Sequence, residues 1–374
     1  TVDGISRTLS KTIKFQYELG EGNGFNIDKA VLVSNKITTT LATNIIHPDG
    51  AGADVATYSQ ISSEVNISTT TTMDDIYLLE ETNSNVVLLK PSSATVYKDY
   101  PYKAFPIIDF TRVDNIAKIV RTENKSLPAL VTGNNTINPS NGTYGGYYVP
   151  TLTFNKDMSI NVTGDTFIVT DRIAFGVNYK TINFTGVGKL EIYVGNPNLD
   201  NPNLTTPTFA TINNGVNFGN STNVKNLIVY VASYRISNVA PGINLSGNNA
   251  QVHGSFMFEN ARLYFSNNCT FNGYLVTNAV DSSTSSTAVR LSNNGSLNTK
   301  GLIFAPSGTV RFENNSGYKG AIVAKNVNLI KATLVYDPLE FMGMPFVIND
   351  PINQSGFSGG SVINFDLGST VEVD

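Results

Sequence analysis

The residues that most often build reactive centres are scarce in this chain, which has two histidines and one cysteine. We assign His47 and His253 to different domains, so a histidine metal cluster is not expected. His253 comes just before a repeated glycine, where other repeats have asparagine or lysine, and this predicts an exposed corner residue. Cys269 stands where other repeats have alanine, glycine or serine, and we interpret it as a small corner residue rather than a nucleophile. A single cysteine also excludes an internal disulfide and a cysteine-based zinc site.

Acidic residues form two further candidate groups. Asp74 and Asp75 are adjacent, and β-helical glycosidases need two carboxylates across a groove. This pair follows a threonine run outside the repeats, which favours a turn or a helix N-cap. The Asn/Asp-rich segment 196–201 offers the oxygen ligands that calcium prefers, but the chain lacks the calcium-binding nonapeptide, and loop formation explains these residues.

Three arginines occupy nearly equivalent positions in the repeats, namely Arg262, Arg290 and Arg311, with Glu259 and Glu313 close to them in the sequence. A polysaccharide-binding or polysaccharide-cleaving β-helix would require such charges along one face. No acid pair accompanies them, and no nucleophile elbow, phosphate-binding loop or dinucleotide fingerprint occurs. We therefore assign no catalytic, cofactor-binding or metal-ligating residue, and we expect a protein that is not an enzyme and needs no cofactor.

Composition narrows the function class further. Only 14% of the residues are charged, and 25 basic residues face 29 acidic ones, so nucleic acid is not an expected partner. Tryptophan is absent, and the abundance of Asn, Thr, Ser, Gly and Val favours strands and turns. No apolar run approaches the length of a membrane span. Low charge and sparse cysteine suit an exported surface protein.

A glycine repeat of about 19 residues gives the strongest structural signal, because such a period is typical of a solenoid of stacked β-coils. Gly254, Gly273, Gly301 and Gly320 each open an apolar strand, and a small polar corner with paired asparagines precedes each one. The longest interval contains the Ser/Thr run 281–287, an insertion that we place in one coil. We expect the asparagines to stack as side-chain amide ladders.

The chain is accordingly predicted to be mainly β, with three parts. Residues 1–145 lack the repeat and are expected to form a smaller mixed, strand-dominated domain, with a helix at 109–121 where apolar residues recur at helical spacing. Residues 146–345 are predicted to form a parallel β-helix, in which six to eight coils would span about 30 to 40 Å. Residues 346–374 are expected to cap or flank it.

The segment 145–338 resembles the β-helical domain of accessory proteins encoded with type IV pilus systems, the PilX-like minor-pilin group. The resemblance depends on Gly-Lys-Leu-Glu-Ile-Tyr-Val at 188–194, Gly-Leu-Ile-Phe-Ala-Pro at 301–306, Gly-Ala-Ile-Val-Ala-Lys at 320–325 and Val-Tyr-Asp-Pro at 335–338. It implies an extracellular, pilus- or fimbrium-associated protein whose partners are other pilus or surface-filament subunits. Members of this family enter the membrane or the pilus shaft through an N-terminal apolar helix, which this sequence does not contain. The coil pattern also resembles bactofilins, which are polymers of short β-helices.

Three function hypotheses follow. The first is a non-enzymatic cell-surface structural protein, a minor pilin-like or tip component in assembly or adhesion. It would display the loops 195–210 and 277–288 to a partner such as a host or surface glycan. The second is an extracellular polysaccharide-binding or polysaccharide-cleaving β-helix protein. The third is a self-polymerising filament subunit.

Overall fold

The chain winds into short parallel strands over the part that the computed structural model describes. That part is residues 27–340 except 80–83, 103–104, 106–107, 177, 196–211, 233–241, 245–246, 267, 282–286 and 293–296. The predicted capping segment 346–374 and nearly all of the loop 195–210 lie outside the described residues. No helix among the described residues is long and apolar enough to cross a membrane.

The strands alternate with turns along the whole described chain. Those of the first third are β1 (Val31–Val33), β2 (Ile37–Thr40), β3 (Asn44–Ile46), β4 (Val55–Thr57), β5 (Val65–Ile67), β6 (Ile76–Leu79), β7 (Val87–Leu89) and β8 (Val96–Tyr100). The helix α1 (Thr111–Glu123) separates them from the rest. The later strands are β9 (Gly133–Ile137), β10 (Tyr147–Phe154), β11 (Met158–Val162), β12 (Thr166–Phe175), β13 (Thr181–Thr185), β14 (Leu190–Val194), β15 (Asn217–Gly219), β16 (Leu227–Val231), β17 (Gly242–Asn244), β18 (Gln251–Phe258), β19 (Arg262–Ser266), β20 (Thr270–Thr277), β21 (Val289–Ser292), β22 (Lys300–Phe312), β23 (Gly317–Ile330) and β24 (Thr333–Val335). Single-turn 3-10 helices occupy Ser84–Val86, Thr143–Gly145 and Pro338–Glu340.

These strands stack into three faces of a parallel β-helix, which confirms the predicted fold class. The long strand β23 shows all three, because its first part pairs with β24, its middle with β1 and its end with β2. We call the corresponding stacks face 1, face 2 and face 3. Every ladder between named strands is parallel, so each coil adds one hydrogen-bonded layer to the rod.

The strands before residue 145 belong to the same β-helix, so the predicted separate mixed domain is wrong for this part of the chain. Along face 2 the order is β8, β6, β4, β1, β23, β22, β20, β18, β16, β14, β12, β10. The early strands continue the rod beyond β23, and one coil is completed by β24 from the late part and by β1 and β2 from the early part. The twelve layers that the described strands form along face 2 span about 50 Å, more than the length predicted from the repeats alone.

Helix α1 lies along face 2 at the end of the rod that β10 terminates. The predicted helix at 109–121 is confirmed, with a shift of two residues at each end. The ring of Phe110 packs 6.2 Å from that of Tyr230, and Tyr193 donates a 2.6 Å hydrogen bond to Asp114 one layer further on. A helix of 13 residues is about 20 Å long, which matches four layers at about 4.8 Å each. The helix thus covers the layers of β16, β14, β12 and β10.

The repeated glycines form a stack in register, as the sequence predicted. Gly254 pairs with Gly273, Gly273 with Gly301, and Gly301 with Gly320. Their φ angles lie between 124° and 147°, a range that side chains rarely adopt. A Cβ on Gly301 would lie 1.6 Å from the carbonyl oxygen of Gly273, so the stacked corner excludes every larger residue.

The corner asparagines serve the backbone as well. Asn249, Asn268, Asn314 and Asn315 all have positive φ, which asparagine tolerates better than most residues. The amide of Asn314 donates a 2.8 Å hydrogen bond to the Ser292 hydroxyl. Its expected ladder partners, Asn293 and Asn294, lie outside the described residues.

Aromatic rings fill the middle of the rod. Phe218 lies at the centre of this cluster, with ring centroids 5.3 Å from Phe154, Phe175 and Phe184 and 6.3 Å from Phe256. Because these rings come from successive coils, one continuous apolar core joins neighbouring layers.

Candidate functional site

A row of polar residues on face 1 precedes the glycine stack. His253, Asn272, Lys300 and Lys319 stand in register, one on each successive layer, as the sequence predicted. Neighbouring strands place these residues about 4.8 Å apart along the rod. The row therefore brings side chains from four different coils into one evenly spaced line on the surface.

A surface groove of about 530 Å³ runs along this row, and we call it the face 1 groove. Amides from Gln251, Asn272 and Asn298 line it, together with Thr270 and the row residues described above. The exposed side chain of Leu297 lies at its edge. A groove of this volume suits a small molecule or a short stretch of polymer.

His253 lies buried in the groove wall, so the prediction of an exposed corner residue is wrong. Its exposed fraction is 8%, and Nδ1 has no hydrogen-bond partner among the described residues. Burial, with a smaller contribution from Lys300, lowers the pKa of this imidazole to about 4. His253 is therefore neutral at physiological pH, and Nδ1 can donate or accept one hydrogen bond.

The turn that follows β15 explains this burial. Asn272 donates a 3.2 Å hydrogen bond to the Ser221 carbonyl, and Ser255 donates to the Val224 carbonyl at 3.3 Å. This turn therefore folds against the row from the preceding coil and covers part of the corner. The sequence repeat gave no sign of it, because the glycine register begins only at Gly254.

Ion pairs close the other end of the groove. The 3-10 helix Pro338–Glu340 places Glu340 3.0 Å from both Lys300 Nζ and Lys319 Nζ, and Asp337 lies 2.9 Å from Lys319. Hydrogen bonds to Asp337 and Glu340 raise the pKa of Lys319. Burial alone would raise the pKa of Asp337, but its bonds from Lys319 and the Leu339 amide lower it overall. The positive charges of the two lysines are thus balanced by the negative charges of Asp337 and Glu340.

The arginines of face 3 do not form the row that their sequence positions suggested. Arg290 and Arg311 are paired in register, but Tyr264, not Arg262, stands beside Arg290 on the next layer. Glu313 bridges the pair, 2.6 Å from Arg290 Nη2 and 2.5 Å from Arg311 Nε. The two guanidinium groups therefore hold a buried carboxylate.

Asp74 and Asp75 lie inside the β-helix, which corrects their expected position outside the solenoid. They stand at the corner before β6, and Asp54 reaches them from the layer of β4, so that oxygens of all three lie within 4.8 Å of one another. This group could offer oxygen ligands to a cation. It also has protein partners, because Lys29 Nζ lies 3.1 Å from Asp54 and the Thr95 amide donates to Asp75 at 2.9 Å. Burial, followed by the charges of Asp75 and Asp54, raises the pKa of Asp74.

The remaining candidates stay apart. Cys269 is buried, and its thiol donates a 3.7 Å hydrogen bond to the Thr270 carbonyl, as suits a small corner residue. His47 packs 5.6 Å from the ring of Tyr336, beside β3 and five layers from His253 along face 1. The calcium candidate 196–201 lies outside the described residues.

A second candidate site, after the face 1 groove, is a cavity of about 430 Å³ that aromatic and polar side chains line. Tyr58 lies 5.1 Å from Tyr102 and 5.6 Å from Phe105 by ring centroids, and Asn278 and Ser307 complete the lining. Tyr102 is 65% exposed, so one ring face is open to solvent. Such clusters more often pack a corner than bind a ligand, but the cavity is a useful comparison for the face 1 groove.

Comparisons with known proteins give a family match and distant structural likenesses. Residues 238–339 match the model of a family described as a domain of unknown function, DUF7305. No curated protein matches the chain. Among solved structures, the chain is similar to an ice-binding protein (LeIBP) from an Arctic yeast, described for its antifreeze activity. The identity is 12%, the TM-score is 0.19, and the likeness covers 93% of this chain and 100% of that one. The parallel β-helix is established here by the strand pairing itself.

Proposed function

We propose that this chain is a non-enzymatic structural protein of the cell surface, associated with a type IV pilus or a similar filament and acting in assembly or adhesion. The observation that carries the proposal is the closure of the rod by both parts of the chain, in which β1 and β2 pair with the late strand β23. The early strands of such a rod cannot separate from the late strands without breaking the hydrogen bonds that β1 and β2 make with β23. Such a body suits the transmission of force between a filament and a surface.

The rod also offers anchored insertions. Asp281 begins the Ser/Thr insertion and accepts hydrogen bonds from the Ala288 amide at 3.0 Å and the Thr309 amide at 2.9 Å. The loop therefore leaves and rejoins the body at one fixed point, although its tip, 282–286, lies outside the described residues. Display of a loop from a rigid body is the expected behaviour of an adhesive module.

Polysaccharide cleavage is less well supported than binding. The carboxylates at the face 1 groove and on the arginine pair of face 3 are each held by cations, namely Asp337 and Glu340 by lysines and Glu313 by arginines. A glycosidase instead needs one carboxyl group that donates a proton and one free carboxylate. These contacts favour a structural use of the acids.

Self-polymerisation is disfavoured at one end of the rod. Among the described residues, β8 is the last strand at this end, and it carries exposed Lys98 and Asp99. Charged residues on an edge strand oppose pairing with another copy. We therefore place incorporation into a larger filament, rather than stacking of identical rods, as the mode of assembly.

Deletion of the gene in the cells that make this protein tests the proposal. We expect fewer surface filaments by electron microscopy or weaker attachment to a surface. The native chain should restore them, and Gly301→Val, which disrupts the glycine stack, should not. Unchanged filaments and unchanged attachment in the deletion strain would contradict the proposed role.

A further inference from the structure

We infer that the face 1 groove is a binding site for an uncharged, polyhydroxylated ligand, a stretch of neutral glycan. This inference adds a ligand class to the proposed adhesive role and rests on that role for its biological meaning. The binding event itself can be measured on the purified protein, independently of where the protein is located.

The groups around the groove fit hydroxyls better than any other ligand chemistry. Gln251, Asn272 and Asn298 carry amides, each with donors and an acceptor side by side, and Thr270 adds a hydroxyl. A sugar hydroxyl also donates and accepts hydrogen bonds, so it can donate to an amide oxygen and accept from an amide N–H. Gln251 and Asn298 are exposed, which leaves them available at the groove surface.

The buried imidazole points to a ligand more sharply than the exposed amides do. A polar atom that is buried without a hydrogen-bond partner costs free energy, so it usually has a bonded occupant in its working state. His253 Nδ1 has no such partner among the described residues, and the side chain forms part of the groove wall. Nδ1 itself is covered in the free protein, so a ligand hydroxyl that displaces the covering atoms would satisfy it.

The charge balance excludes the commonest alternative, a phosphate or carboxylate ligand. Lys300 and Lys319 are the cations of the groove, and Glu340 lies 3.0 Å from the Nζ of both. Asp337 adds a second negative charge at Lys319. An anion would have to displace Glu340 from this network, whereas a neutral ligand leaves it intact.

The spacing of the row favours a chain over a single small molecule. Equivalent residues recur at about 4.8 Å along the rod, a distance similar to the length of one pyranose ring. Successive sugar units can therefore meet equivalent positions, beginning with Gln251 and Thr270, which are paired in register. A row of side chains that repeats along the rod can thus bind a polymer whose units repeat at a similar spacing.

Titration of the full chain with cellohexaose and maltohexaose as neutral probes, and with polygalacturonate as an anionic probe, tests the inference. We expect saturable binding of at least one neutral probe. Gln251→Leu should weaken it about tenfold or more, because it removes an amide that bonds hydroxyls. His253→Phe, which keeps an aromatic ring of somewhat larger size but removes both nitrogens, should weaken it similarly.

Two control variants make the result specific. Asn66→Leu removes an outward amide on face 3 and should leave binding unchanged. Tyr102→Ala removes the exposed ring of the aromatic cavity and should also leave it unchanged. Circular dichroism and the unfolding midpoint confirm folding, and Gln251 is exposed, so its variant remains informative if His253→Phe does not fold.

Three results would overturn the inference. The first is no saturable binding of either neutral probe. The second is binding of polygalacturonate alone, which would assign the groove to anions. The third is loss of neutral-probe binding in Tyr102→Ala but not in Gln251→Leu, which would move the site to the aromatic cavity. None of these results bears on surface location, which the deletion experiment tests separately.

Discussion

Val31, close to the start of the described chain, pairs in register with Ile322, close to its end. On its other side Val31 pairs with Val55, so β1 is an interior layer of the rod and not an edge. The early strands therefore add layers to a solenoid whose repeats come mainly from the second half of the chain. Folding of this coil must wait for both segments, which gives the rod a high contact order.

Paired cysteines test this closure. Thr38 and Asn328 stand in register on β2 and β23, so Thr38→Cys with Asn328→Cys should form a disulfide under mild oxidation. Neighbouring strands fall within the Cα separation of about 4.4 to 6.8 Å that a disulfide needs. Non-reducing electrophoresis after proteolysis should show the early and late fragments joined.

The matched control combines Thr38→Cys with Arg290→Cys on the same face. Three layers separate these positions, or about 14 Å, so no disulfide should form within the monomer. Equal crosslinking of both pairs, or none in the first pair, would disprove the closure.

The glycine stack should be intolerant of any side chain. Gly301→Ala places a Cβ 1.6 Å from the Gly273 carbonyl oxygen, and we expect a loss of about 3 kcal/mol or more in the free energy of unfolding. Gly50 is the control, because its φ is also positive, at 86°, but nothing lies within 4 Å of its would-be Cβ. Gly50→Ala should cost only the backbone strain, about 1 kcal/mol. Urea unfolding of the two variants measures the difference, and similar losses would show that the close contact is not the cause.

Helix α1 should be anchored by its buried hydrogen bond to face 2. Tyr193→Phe removes the 2.6 Å bond to Asp114, a residue that is 7% exposed, and should cost about 1.5 to 3 kcal/mol. Tyr179→Phe removes the same hydroxyl at a position that is 72% exposed, and it should leave stability unchanged. Chemical denaturation measures both. If Tyr193→Phe is as stable as the native chain, this bond does not hold the helix in place.

Stability should fall on acidification because of His253. Burial lowers the pKa of His253 to about 4 in the folded chain, against 6.5 for an unperturbed histidine. Between these values the unfolded chain binds a proton that the folded chain does not bind, so protonation favours unfolding. The stability contribution is present above pH 6.5 and is lost as the pH falls towards 4, by up to about 3 kcal/mol.

His253→Asn isolates this contribution, since Asn272 occupies the equivalent position one layer further on. Comparison of unfolding free energies at pH 7 and pH 4.5 should give a smaller difference in the variant than in the native chain. Carboxylates with lowered pKa, such as Asp337, affect both proteins alike and cancel. An identical pH dependence in the two proteins would show that His253 titrates normally.

The fold could be predicted from the sequence where steric crowding restricts a position to one residue type. Gly273, Gly301 and Gly320 must be glycine because a Cβ on each would lie 1.6 to 1.9 Å from a carbonyl oxygen of the preceding coil, so the repeat is visible in the sequence. The early layers have no such requirement. Their corners contain residues such as Asp54 and Asp75, and the only signal was the recurrence of an apolar strand after each of them.

The groove was only partly predictable. The register of His253 with Asn272 followed from the repeat, but its burial did not, because that depends on a turn from the preceding coil. Glu340 lies in the closing 3-10 helix, outside the repeat, and its ion pairs with Lys300 and Lys319 depend on the three-dimensional path of the chain. Contacts between a repeat and the segment that folds over it have no periodic signal in the sequence.

Immunogold labelling of intact cells that make this protein tests the central claim most directly. The proposed role predicts gold particles along thin surface filaments or at their tips, and no particles on cells from which the gene has been deleted. Label confined to the cell interior, or protein found only free in the medium, would contradict a role in a cell-surface appendage.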